Sequence, residues 1–121
     1  MYISATRDKE GGGLESIPIE RVLFLETSQN RILVHTSDAV YYVANTLERW
    51  LHALRSAGQP FEQVDRCCVA DLSKVKELDA KWSRIYFSEG PLAGNKPCNV
   101  ARSNFRMIAK KVNQQNDPGL L

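Results

Sequence analysis

The side chains best suited to chemistry in this chain are arginines set in short polar corners between apolar runs. Asn30-Arg31 lies between VLFLET and ILVHT, Asp65-Arg66 divides FEQV from CCVADL, and Arg102-Ser103-Asn104 separates CNVA from the final apolar-periodic segment. An arginine guanidinium is a planar fork that pairs bidentately with guanine or with a phosphate. Asparagine does the same for adenine, and a carboxylate such as Asp65 accepts from cytosine N4. Arg106 follows the third corner by one helical turn. Any one such corner reads as a solvated turn, but three in one small chain point to a nucleic-acid surface. The candidate contact set is Asn30, Arg31, Asp65, Arg66, Arg102, Ser103, Asn104 and Arg106.

The charge distribution agrees. Net charge over the 121 residues is only +2. Residues 81–112 nevertheless carry Lys81, Arg84, Lys96, Arg102, Arg106, Lys110 and Lys111 against the single acid Glu89. The C-terminal third is thus strongly basic and the remainder acidic, the asymmetry of a surface that faces a polyanion. A merely solvated basic helix is the plain alternative.

Other chemistries lack their parts. No GxSxG, P-loop, HExxH or dinucleotide fingerprint occurs, so the chain is not expected to be an enzyme or to carry a cofactor. His35 and His52 stand in no metal-ligand pattern. Cys67, Cys68 and Cys98 are odd in number and show no CxxC spacing, so reduced core thiols are expected. Oxidation joining Cys98 to Cys67 or Cys68 would link the strand bearing Arg66 to the one leading into Arg102. No apolar run approaches the ~18 residues of a membrane span and no signal peptide is visible, so a cytoplasmic location is expected.

The elements that must position the corners read as mainly β with short helices. Strands are expected at Tyr2–Thr6, Ile17–Glu20, Val22–Thr27, Arg31–Thr36 and Ala39–Val43, with Gly11-Gly12-Gly13 as a flexible break and Ser28–Arg31 as a hairpin turn. Such short connections make the meander antiparallel. A mid-chain helix follows, capped by Asn45 with Glu48 completing the box. Its stripe is Leu47, Trp50, Leu51 and Leu54, and Gly58 ends it. Phe61–Asp79 reads as strand, corner, strand and helical turn, with Phe61, Val64, Val69, Ala70, Leu72, Val75 and Leu78 inward. Trp82–Ser88 is strand-like, 90–97 is a loop, and Cys98–Ala101 is a last strand. Ser103 is expected to cap a C-terminal helix that buries Phe105, Ile108, Ala109 and Val112 and exposes Arg106, Lys110 and Lys111. The domain is expected to span 1–112, with 113–121 as a flexible tail.

Taken together, Ile17-Pro18 leading into a strand that ends at Glu26, Thr46-Leu47 opening the helix, Phe61 before the Asp65–Asp71 segment, and Ala101-Arg102 before the last helix resemble a LytTR-type DNA-binding domain. The resemblance covers about residues 14–112. It implies elongated antiparallel β-sheets whose loops, rather than a recognition helix, enter successive major grooves. It places the contacts at Asn30 and Arg31, at Arg66, and at Arg102 with Ser103. It also implies double-stranded DNA as the partner, with direct-repeat sites bound by two copies, and hence a bacterial-type transcription regulator.

Three positions depart from the family pattern. Asp65 stands where the family has a corner histidine, Cys67-Cys68 replaces a Ser-Tyr pair, and Asp71 replaces an asparagine. We expect Asp65 to orient Arg66. No receiver domain fits in the chain, which suggests a stand-alone regulator controlled by expression level, a protein partner or the thiols. The rival reading is a protein-interaction or antagonist module on the same fold, with weak or lost DNA binding.

Overall fold

The structure is a computed structural model that describes residues 1–87 and 97–116. Strands β1 (Tyr2–Thr6), β2 (Leu14–Pro18), β3 (Phe24–Ser28), β4 (Arg31–His35), β5 (Val40–Val43), β6 (Phe61–Asp65) and β7 (Cys68–Asp71) form one sheet in the order β2-β1-β5-β4-β3-β7-β6. A second sheet, β10-β9-β8, contains β8 (Glu77–Asp79), β9 (Arg84–Tyr86) and β10 (Pro97–Asn99). Every pairing is antiparallel. Helices α1 (Leu47–Ser56) and α2 (Phe105–Asn116) complete the fold.

Strand β7 is buried along its whole length, and its period-2 side chains separate two cores. Val69, with Leu25 opposite it on β3, joins the cluster under α1 that includes Ile3, Ile32, Val34, Tyr41, Leu54 and Phe61. Cys68 and Ala70 face the other way. They meet Phe24, Val64, Ile85, Cys98, Val100 and α2's Ile108 and Val112. A one-residue slip of β7 would exchange the two sets. Glu62 fastens the layers from the outside, pairing with Arg55 of α1 at 2.7 Å and with Lys111 of α2 at 3.0 Å.

Several boundaries differ from the sequence expectations, each for a local reason. Strand β2 starts at Leu14 because it pairs with β1 as far as Thr6, and Pro18 closes this edge strand before a 3-10 turn at Ile19–Arg21. Thr46, not Asn45, caps α1. Its hydroxyl accepts from Arg49 N, while Asn45 turns into α1 at φ +84° with its own Oδ1 accepting from Thr46 N. With Arg49 at the third helical position, no capping box forms. Gly58 does end α1, at φ +78°, in a Schellman arrangement: its N–H bonds Arg55 O, and Gln59 N–H bonds Leu54 O.

Strand β9 begins only at Arg84. Trp82 N bonds Asp79 Oδ1 and Ser83 sits at φ +52°, so Trp82 occupies a turn and is 57% exposed rather than part of a strand. The expected loop at 90–97 lies outside the described residues except for Pro97, which opens β10. Ser103 caps nothing. Arg102–Asn104 is a 3-10 turn entered from Ala101 and continuous with α2. Helix α2 continues through Asn113–Asn116, because the chain holds no breaker until Pro118. The expected tail is therefore helical in its first four residues, and 117–121 lie outside the described residues. Lys111, expected on the exposed side, is half-buried against Glu62. Cys67 is exposed, unlike the core thiol expected there. No helix among the described residues is long and apolar enough to cross a membrane.

Candidate nucleic-acid interface

The first corner is a two-residue hairpin. Ser28 pairs with Arg31, and the loop residues Gln29 and Asn30 have φ +50° and +62°, the type I′ geometry that matches strand twist. Both tip side chains are exposed. Arg31 instead lies half-buried in an open cleft of about 370 Å³, together with Ser4, Thr6, Lys9, Tyr42 and Ala44. Gln29 was not among the sequence candidates. The two-residue hairpin rule is the signal that would have found it, since both loop positions of such a turn face outward.

The second corner closes β6 onto β7 across an irregularity between Gln63 and Asp65. Asp65 Oδ2 accepts from Cys67 N at 3.2 Å, an Asx turn. The carboxylate therefore orients the corner through the backbone, and the expected orientation of Arg66 by Asp65 is replaced by this bond to Cys67 N. Arg66 is exposed and makes no side-chain hydrogen bond or ion pair among the described residues. Cys67 O accepts from Thr27 N at 2.9 Å, which fixes this corner to the hairpin strand β3.

The third corner is docked on the second. Val64 O, immediately before Asp65, accepts from Ala101 N at 2.9 Å and from Asn104 Nδ2 at 3.4 Å. Asn104 is thereby a clamp, half-buried, rather than a free amide. Arg102 is exposed, and its Nη2 donates to Lys81 O at 3.2 Å, which props the guanidinium against the turn before β9. Ser103 is exposed with no bonded partner among the described residues. Arg106, Arg102, Phe105 and Ser83 line an open cleft of about 420 Å³. Lys81 lies 5.5 Å from the centre of the exposed Trp82 ring.

Hairpin, Asx corner and 3-10 corner thus form one connected run, although they lie more than thirty residues apart in sequence. The backbone bonds Thr27 to Cys67 and Ala101 to Val64 make the connections. Behind the hairpin, Glu26 Oε1 meets His35 Nε2 at 2.9 Å, and the His35 ring stacks on Phe24 at 4.2 Å. The hydrogen bond from His35 holds the Glu26 carboxyl below its ordinary value. Among the described residues no cluster of His, Cys, Asp or Glu could hold a metal ion.

The family model for the LytTr DNA-binding domain matches residues 12–113. The chain belongs to the LytTR family of DNA-binding domains. Among solved structures, the LytTr DNA-binding domain of a protein described as a methyl-accepting/DNA response regulator from Bacillus cereus shares the fold. Its TM-score is 0.68 at 14% identity, and the match covers 92% of this chain and 94% of that one. A comparison with curated proteins found no match. This LytTR domain is accordingly a DNA-binding domain of the kind used in transcription regulation, and its mainly antiparallel architecture with one mid-chain and one C-terminal helix is that of its relatives.

Proposed function

We propose that this LytTR domain regulates transcription by sequence-specific binding of double-stranded DNA. In this reading, loop side chains enter successive major grooves: Gln29 and Asn30 from the hairpin, Arg66 from the Asx corner, and Arg102 with Ser103 from the 3-10 corner. Asp65 and Asn104 shape their corners, while Arg31 and Arg106 flank them as phosphate anchors. Family membership further supports direct-repeat sites occupied by two copies.

The observation that carries the proposal is the backbone tie between corners. Three loops rich in base-reading side chains are fixed to each other before any DNA arrives, so little ordering cost attends binding. Arg66, exposed in the turn between β6 and the fully buried strand β7 and without a side-chain partner among the described residues, has no packing role there that would explain it.

A salt titration on a duplex selected from random DNA tests the proposal. Neutralising three to five phosphates gives a slope of log K against log salt of about −3 to −5. A flat response, or no shift of any duplex combined with salt-insensitive association with another protein, would mean that the fold serves as a protein-interaction or antagonist module instead.

A further inference from the structure

We propose that Cys68 and Cys98 are a disulfide site, a covalent link between the two sheets. Cys68 stands on β7 of the seven-stranded sheet and Cys98 on β10 of the other. Both are buried, with their sulfurs 2.7 Å apart. A disulfide sulfur pair lies at about 2.0 Å, so bond formation asks for less than an ångström of approach. Cys67 is next in sequence but exposed, and it has no sulfur partner.

The chemistry is a two-electron oxidation by a small-molecule disulfide. One protein thiol, as thiolate, attacks the reagent and expels one reagent thiol, leaving a mixed disulfide. The second protein thiol then attacks the protein sulfur of that mixed disulfide and expels the other reagent thiol. Two S–H bonds are lost and one S–S bond is gained in the protein, and the reagent leaves as two thiols. The hydrogen bond with Cys98 and burial both push the Cys68 thiol up, so the pair holds little thiolate. Oxidation is therefore slow and follows opening of the second core, whereas Cys67 takes up the reagent quickly without cross-linking.

The link has a structural consequence beside the corners. The two cysteines are 30 positions apart, and closing that loop restricts the unfolded chain. It also pins β10, which leads into Ala101 and Arg102, onto β7, which leaves the Arg66 corner. This goes beyond DNA binding and is read without DNA.

The experiment incubates the folded chain with oxidised glutathione and follows intact mass, peptide maps, melting and amide exchange. In the Cys67→Ser chain, which lacks the exposed thiol, the expected product has lost the mass of two hydrogen atoms, and in the wild type the same loss accompanies one glutathione adduct on Cys67. The linked product's map joins the peptides containing Cys68 and Cys98, and this product melts about 10 °C higher than the reduced chain. Exchange of the Ala101 amide, which bonds Val64 O, slows about tenfold or more. Cys67→Ser keeps the link and Cys98→Ala abolishes it. A glutathione adduct without the link, a link through Cys67, or a linked chain that melts no higher than the reduced one would overturn the proposal.

Discussion

Replacing Asp65 separates charge from hydrogen bonding at the middle corner. Asp65→Asn keeps an oxygen that can accept from Cys67 N, the bond seen at 3.2 Å, but removes a negative charge from a surface meant to face phosphates. For a phosphate about 8 Å away in water that charge costs about 0.5 kcal/mol, so the amide should bind DNA about twofold tighter at low salt, with the gain fading above a Debye length's worth of screening. Asp65→Ala also removes the charge but loses the Asx turn. A neutral hydrogen bond contributes about 0.5–1.5 kcal/mol. Because Cys67 is exposed and water can take the freed N–H, the cost should fall in the lower half of that range. The alanine variant should melt a few degrees lower, while the asparagine variant should match the wild type. Fluorescence anisotropy with a labelled duplex, paired with thermal melts, gives both numbers. If Asp65→Asn binds several-fold more weakly while melting normally, the carboxylate is itself a base contact. If the two variants melt alike and low, the Asx bond is not what the carboxylate provides.

Three further outcomes follow from the same geometry. Asn30→Gly should fold as stably as the wild type, since φ +62° suits glycine, but should bind DNA more weakly, whereas Asn30→Ala should lose about 1 kcal/mol of stability by melts. The Glu26 carboxyl is held below its ordinary 4.5 chiefly by the hydrogen bond from His35, so its contribution to stability is present above that value and is lost as pH falls through the lowered one; denaturant melts from pH 6 to 3 should show a shallower acid limb for Glu26→Gln. Leu54→Ala, at a fully buried stripe position of α1, should cost about 2–5 kcal/mol in denaturant melts, a large share of a typical domain's stability.

The sequence was most legible where one local rule decides the outcome. The Gln29-Asn30 turn and the Leu47–Leu54 stripe with Gly58 behind it follow from nearest-neighbour geometry, whereas the inward set expected over Phe61–Leu78 divides between two cores, with Val69 in one and Ala70 in the other. Neither Asn45 nor Ser103 is a cap, because capping depends on the backbone at the junction: Thr46 supplies it before α1, and Ser103 lies inside a 3-10 turn that runs directly into α2. The split role of the candidate site was hidden for a different reason. Whether Arg66 stands exposed while Arg31 lies back across the sheet and Asn104 clamps Val64 O depends on contacts made across 40 residues, which no spacing along the chain encodes. Asp65 shows the same limit. Its neighbour in sequence suggested a guanidinium partner, yet the closer partner was a backbone N–H two residues on.

The central claim is that Arg66 and Arg102 read separate base positions from one rigid end of the fold. Selection of bound sequences from random DNA by the wild type, Arg66→Ala and Arg102→Ala tests it directly. The account predicts a defined wild-type motif, with each variant losing information at its own position and about 1–3 kcal/mol of affinity for the wild-type site. Variants that enrich the unchanged motif, or that weaken all sequences equally, would show the arginines to be phosphate anchors or bystanders and would contradict it.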